Sequence, residues 1–202
     1  MASVRSLRRE LKTRRRQLPQ AQRAIMNHRL CRHLLGSSCF LRSHTVAAYI
    51  PFGGEPDLRP VLQAAAERGK QCFLPVVLPH ENRLVFRRWQ PGQTLISNRF
   101  GIPEPPPEAG ECLVHGIDLV LTPLVAFDHE GNRVGMGAGF YDRSFAFRLL
   151  REHWPGPRLV GTAWAFQQQT KLPKQAWDIP LDAVITETGW QDFCQVEAAT
   201  KQ

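Results

Sequence analysis

Residues 45–78 read TVAAYIPFGGEPDLRPVLQAAAERGKQCFLPVVL, and two changes of hydrophobic period inside this stretch decide the fold. Thr45 to Ile50 is a short apolar run ended by Pro51 and the Gly53-Gly54 pair, which reads as a buried strand running into a loop. Leu58 to Arg68 has helical spacing, and Gly69 stands at the expected stop position. Cys72 to Leu78 predicts the next strand, and Leu84 to Trp89 a shorter one. Strand, helix and strand in alternation indicate a parallel sheet covered by helices.

The same reading extends outward. Upstream, Val4, Leu7, Leu11 and Leu18 share one helix face over about Ser3 to Gln17, with the arginines spread over the remaining surface. Pro19 suits the start of a second helix, whose inward face is read as Ala21, Ala24, Ile25, His28, Cys31 and Leu35 before Gly36 stops it. Downstream, Gln90 to Gly116 carries Pro91, Pro103, Pro105, Pro106 and Pro107 and reads as irregular surface structure. Ile117 to Thr122 predicts a strong strand, continued by Val125 to Phe127; His129 to Asn132 then turns the chain into a glycine run. A helix from about Tyr141 to Glu152 and strands near Leu159–Ala165 and Ala183–Thr186 complete the pattern. The expected class is α/β: a three-layer α/β/α arrangement with a mostly parallel central sheet, preceded by two N-terminal helices, in one domain over 1–202.

Composition narrows the function classes. With 43% apolar and 22% charged residues among 202, the chain has the make-up of a globular protein. No window approaches the roughly 20 apolar residues of a membrane span. The basic start lacks the apolar stretch of a secretory signal, so a cytoplasmic, monomeric protein without membrane attachment is expected. Five scattered cysteines with no Cys-x-x-Cys pair fit neither a disulfide framework nor a zinc site. His28 and His33, five apart on a helix, are expected on different faces. Net charge is +8, and Arg5, Arg8, Arg9, Lys12, Arg14, Arg15 and Arg16 crowd the first helix. Such a helix could meet nucleic acid, an anionic membrane or a polyphosphate, and charge alone does not choose among them.

The most informative stretch is Asn132-Arg-Val-Gly-Met-Gly-Ala-Gly-Phe-Tyr-Asp-Arg143. Glycines at 135, 137 and 139 permit unusual backbone conformations and close approach of a ligand to the amides. Between a predicted strand and a predicted helix, those N–H groups favour a bound phosphate. The spacing is neither the dinucleotide G-x-G-x-x-G pattern nor a P-loop, and read as spacing alone it also suits a tight structural turn. Asp142 beside such a cradle can hold magnesium through phosphate oxygens, or cap the helix.

Leu121 to Asp128, Gly131 to Gly135 and Gly137 to Arg143, taken with Arg5-Ser-Leu-Arg8, Pro51 to Asp57 and Leu172-Pro…Trp177-Asp-Ile-Pro-Leu-Asp182, resemble the 5-formyltetrahydrofolate cyclo-ligase family over nearly the whole chain. The resemblance implies an ATP- and magnesium-dependent enzyme acting on 5-formyltetrahydrofolate. It assigns ATP to Arg5, Arg8 and the run Arg133, Val134, Gly135, Met136, Gly137, Ala138, Gly139, Phe140 and Tyr141. It assigns the folate to Ile50, Phe52, Glu55, Phe100 and Phe140, with Met136 to Gly139 shared, and magnesium to Asp142 and Asp182. No protein nucleophile is implied. The chain departs from some members in having Met136, Ala138 and Val4 where they carry basic residues. Two other readings stay open: a folate-binding relative without catalysis, and a nucleic-acid-binding module using the basic first helix, for which no RNP-like or zinc-finger pattern is found.

Overall fold

The computed structural model describes residues 3–78, 83–99, 101–150 and 156–193. In chain order the elements are α1 (Val4–Gln17), α2 (Gln20–Leu35), α3 (Ser38–Arg42), β1 (Thr45–Ala47), α4 (Arg59–Glu67), β2 (Gln71–Val77), β3 (Leu84–Trp89) and β4 (Ile96–Ser97). They continue with β5 (Pro103–Glu104), β6 (Glu111–Cys112), β7 (Leu119–Pro123), β8 (Ala126–Phe127), β9 (Arg133–Val134), α5 (Phe140–Ser144), β10 (Arg158–Thr162), β11 (Ala183–Thr186) and β12 (Gly189–Asp192).

Eight strands form the central sheet in the order β12-β11-β10-β7-β1-β2-β3-β6. The inner strands from β11 to β2 are parallel, while β12, β3 and β6 pair antiparallel at the edges. Period-2 alternation sorts side chains onto two cores. Val46, Leu119, Leu121, Val160, Ala183 and Ile185 meet α2, α3 and α4 on one face. Ala47, Phe73, Val120, Leu159 and Val184 meet Phe145 of the segment after α5 on the other. The expected α/β class with its mostly parallel sheet holds.

Several local expectations do not. Leu84–Trp89 is a strand, but it returns antiparallel to β2. The proline-rich segment contributes the β4–β5 ribbon and the edge strand β6. Val125–Phe127 leaves β7 and forms a separate hairpin with β9. The helix expected to Glu152 stops at Ser144 and passes into a 3-10 turn at Ala146–Leu150; residues 151–155 lie outside those described. Ser144 Oγ bonds the Phe140 carbonyl and accepts from Leu84 N–H, and Phe145 is drawn completely into the core, so packing outweighs helical continuation. The β12 strand carries no signal noted in the sequence.

The face of α2 is also rotated from the one read above. Of that face Cys31 is buried and Leu35 packs half-buried on the core, but Leu30 and Leu34 take the other buried places, Ile25 is 57% exposed, and His28 and His33 line the same open groove along the helix. Among the described residues no helix is long and apolar enough to cross a membrane.

Candidate functional site

The strand order reverses at β1, which has β2 on one side and β7 on the other. The two connections depart to opposite faces: α4 packs in the first core, and α5 and its following turn in the second. At such a reversal the loops leaving neighbouring carboxyl ends diverge and open a crevice. One wall is the loop after β1, with Ile50, Phe52 and Glu55. The other begins after β7 and includes the β8–β9 hairpin and the glycine run. Leu11 of α1, with Val4 and Leu7, packs on Val125, Ala126 and Val134 of that hairpin, which brings the basic helix to the crevice.

Arg15 joins the two walls. Its guanidinium donates from Nε to the Gly53 carbonyl at 3.0 Å and from Nη1 to the Leu124 carbonyl at 3.3 Å, and its Nη2 lies 3.5 Å from Glu55 Oε1. Arg15 is 1% exposed and Glu55 8%. The other Glu55 oxygen accepts from Phe52 N–H at 3.0 Å. Burial pushes the Glu55 carboxyl above its ordinary value, against the pull of Arg15, the Phe52 amide and Lys12. Burial likewise lowers Arg15, with Glu55 opposing. Tyr49, whose Oη is 2.7 Å from Thr162 Oγ1, and Tyr141 are both raised by burial and then by the Glu55 charge.

The sequence reading spread the α1 arginines over the helix surface; the structure turns Arg15 and Arg8 inward. Arg8 Nε donates to the Gly135 carbonyl at 2.9 Å, while Arg14 stays exposed and stacks on Phe166 at 4.3 Å. A signal for two of them was present: Arg8 and Arg15 stand four residues after Val4 and Leu11, on the apolar stripe itself.

The glycine run is open. Met136, Gly137 and Ala138 are exposed, and Gly137 and Gly139 hold φ values of 107° and 64° that other residues rarely adopt. Arg143, not singled out from the sequence, bonds back to the Ala138 carbonyl. The run therefore carries two guanidiniums, from Arg8 and Arg143. Arg5 is exposed on α1, Val134 is buried in the hairpin core, and Phe140 and Tyr141 are half-buried on the second core.

Asp142 receives Arg133 Nη2 at 2.6 Å and Ile179 N–H at 3.2 Å. Asp182 lies at the amino-terminal edge of β11, where it receives Arg148 Nη2 at 2.6 Å and Leu159 N–H at 2.6 Å. The two carboxylates thus sit in separate hydrogen-bond networks. Among the described residues no group of three or more His, Cys, Asp or Glu could hold a metal. A magnesium ion bound largely through phosphate oxygens needs only one or two carboxylates, and Asp142 beside the run fits that use. Phe52 is 48% exposed, and Ile50 packs half-buried against the first core. Phe100 lies outside the described residues. Burial pushes the Cys31 and Cys72 thiols up to about 11, which leaves them protonated and poor nucleophiles at neutral pH.

Residues 1–187 match the 5-formyltetrahydrofolate cyclo-ligase family. The chain is 36% identical over 180 residues to the 5-formyltetrahydrofolate cyclo-ligase of Escherichia coli K12, covering 87% of this chain and 96% of that protein. It is 34% identical over 170 residues to the enzyme of that name from Haemophilus influenzae, covering 82% and 85% of the two chains. The solved structure of Aquifex aeolicus 5,10-methenyltetrahydrofolate synthetase superposes with a TM-score of 0.79 at 32% identity, over 94% of this chain and 92% of that one. Sequence and fold agree over most of both lengths, and the chain belongs to the 5-formyltetrahydrofolate cyclo-ligase family.

Proposed function

We propose that the protein converts 5-formyltetrahydrofolate to 5,10-methenyltetrahydrofolate with ATP and magnesium, as a cytoplasmic monomer. The observation that carries this reading is the bond from Arg8 to the Gly135 carbonyl, which ties an open glycine run to the same helix whose Arg15 pairs with Glu55.

A formamide is a weak electrophile because its nitrogen donates into the carbonyl. Transfer of the γ-phosphoryl group of ATP to the formyl oxygen breaks the terminal P–O bond, releases ADP and turns that oxygen into a leaving group. The N10 lone pair then attacks the formyl carbon, N10 loses its proton, and the C–O bond breaks to release phosphate. The protein contributes position and charge. Amides of Gly135 to Gly139 with Arg5 and Arg8 hold the phosphates, and Arg133 keeps Asp142 oriented. Glu55 holds the pterin, with Ile50, Phe52, Phe100 and Phe140 against the folate. Asp142 would hold magnesium, which when bound neutralises phosphate charge. Asp182, assigned to the metal by resemblance, stands at the amino-terminal edge of β11 with Arg148 and Leu159 N–H, at the other end of the parallel strands, and does not fit that role.

The test is to incubate purified protein with 5-formyltetrahydrofolate and follow methenyl absorbance with and without ATP and magnesium. Product is expected only with both, and EDTA should stop it. Tight folate binding without turnover would favour the non-catalytic relative. Salt-sensitive retention of RNA or DNA without folate binding would favour the nucleic-acid module.

A further inference from the structure

We propose that Arg15 is a positioning residue for the reaction: by bonding Gly53, Leu124 and Glu55 at once, it locks the loop after β1 to the chain leaving β7 and presents the Glu55 carboxylate to the folate. This rests on the proposed folate role of Glu55. A guanidinium has five donors in a rigid fork, and here three of its nitrogens go to three separate acceptors. Those acceptors come from segments 38 and 109 residues away along the chain, so Arg15 couples two walls that share no covalent constraint. Gly54 admits the helix that carries it, since a Cβ there would stand 2.7 Å from the Arg15 carbonyl.

The charge matters as well as the geometry. Glu55 is buried, and the groups facing it are Arg15 and Lys12 from α1, Tyr49 from the end of β1 and Tyr141 from α5. Both tyrosines are held neutral by burial, so ionisation of Glu55 depends on Arg15, the Phe52 amide and Lys12, with Arg15 the largest contribution. Without Arg15, the carboxyl would keep its proton to higher pH.

Steady-state kinetics of Arg15→Met, Arg15→Lys and Glu55→Gln, each checked by thermal melting, test this. Arg15→Met should raise the folate KM about tenfold, with the ATP KM changed less, and move the acidic limb of the folate kcat/KM profile to higher pH. A purely structural role would lower melting without moving that limb. Arg15→Lys keeps the charge, but its single nitrogen does not reproduce the spread of a guanidinium whose three nitrogens reach two segments, so it should raise the folate KM while leaving the limb in place. If Glu55→Gln raises the folate KM and Arg15→Met leaves both KM and limb at wild-type values, the positioning role is overturned alone. If Glu55→Gln has no effect, the folate role of Glu55 falls and this inference with it. Should Arg15→Met fail to fold, Arg15→Lys decides, and wild-type kinetics for it overturn the proposal.

Discussion

The loop after β1 and the run after β9 are both held by α1, through Arg15 and Arg8, and both are rich in glycine for different reasons. At Gly54, with φ of 84°, an added Cβ would lie 2.7 Å from the Arg15 carbonyl, so the missing side chain makes room for the protein's own backbone. At Gly135 an added Cβ would meet nothing within 4 Å, and at Gly137 it would meet only the Arg8 guanidinium, at 3.8 Å. The first wall is filled from within at Gly54; the second keeps its space free at Gly135 and Gly137, and closes only at Gly139, where Arg143 would stand 3.0 Å from an added Cβ. A buried charge held by fixed partners suits recognition of one rigid substrate. An exposed backbone with two guanidiniums suits the phosphates of a ligand that must bind, react and leave.

The largest effect that would sharpen this contrast is at Asp142. Asp142→Asn should lower kcat about a hundredfold while the fold survives, because the amide oxygen can still accept from Ile179 N–H. Near-normal turnover would remove Asp142 from the magnesium role. Asp142→Ala should in addition lose about 3 kcal/mol of stability, since the Arg133 side chain, 6% exposed, would be left as an unpaired buried cation.

Next comes the glycine pair. Gly54→Ala should destabilise by about 2 kcal/mol through contact with α1 and an unfavourable φ. Gly135→Ala should shift stability by less than about 0.5 kcal/mol and raise the ATP KM instead. If denaturant curves for the two coincide, the contrast between a filled and an open wall fails.

Smaller effects follow on each wall. Arg8→Ala should raise the ATP KM about tenfold, as expected for loss of a charged hydrogen bond, with little change in the folate KM. The reverse pattern would move Arg8 to the folate side. Phe52→Ala should raise the folate KM by about threefold and leave melting unchanged, because the ring is 48% exposed and contributes little to the core.

Legibility followed how far along the chain each feature reaches. The crossover from β1 through α4 to β2 was readable because a short apolar run, an amphipathic helix with its glycine stop, and a second run report local preference together with burial. The face of α2 was not. Ala21, Ala24, Ile25, His28, Cys31 and Leu35 satisfy helical spacing, and so do Asn27, Leu30, Cys31 and Leu34; packing retains Cys31 and Leu35 of the first set and replaces its amino-terminal half by Asn27, Leu30 and Leu34 of the second. Asn27 belongs to that set because it exchanges bonds with the Asp57 backbone, at 3.0 and 2.7 Å.

By itself the sequence determined the α/β alternation, the glycine positions and the run of motifs that identifies the family, since each is written in neighbouring residues. Tertiary structure alone decided which strands turn antiparallel at the edges, which guanidiniums face inward and how Asp142 and Asp182 are partnered. Whether a charge is buried depends on acceptors that arrive from distant segments, and neither period nor composition records their approach.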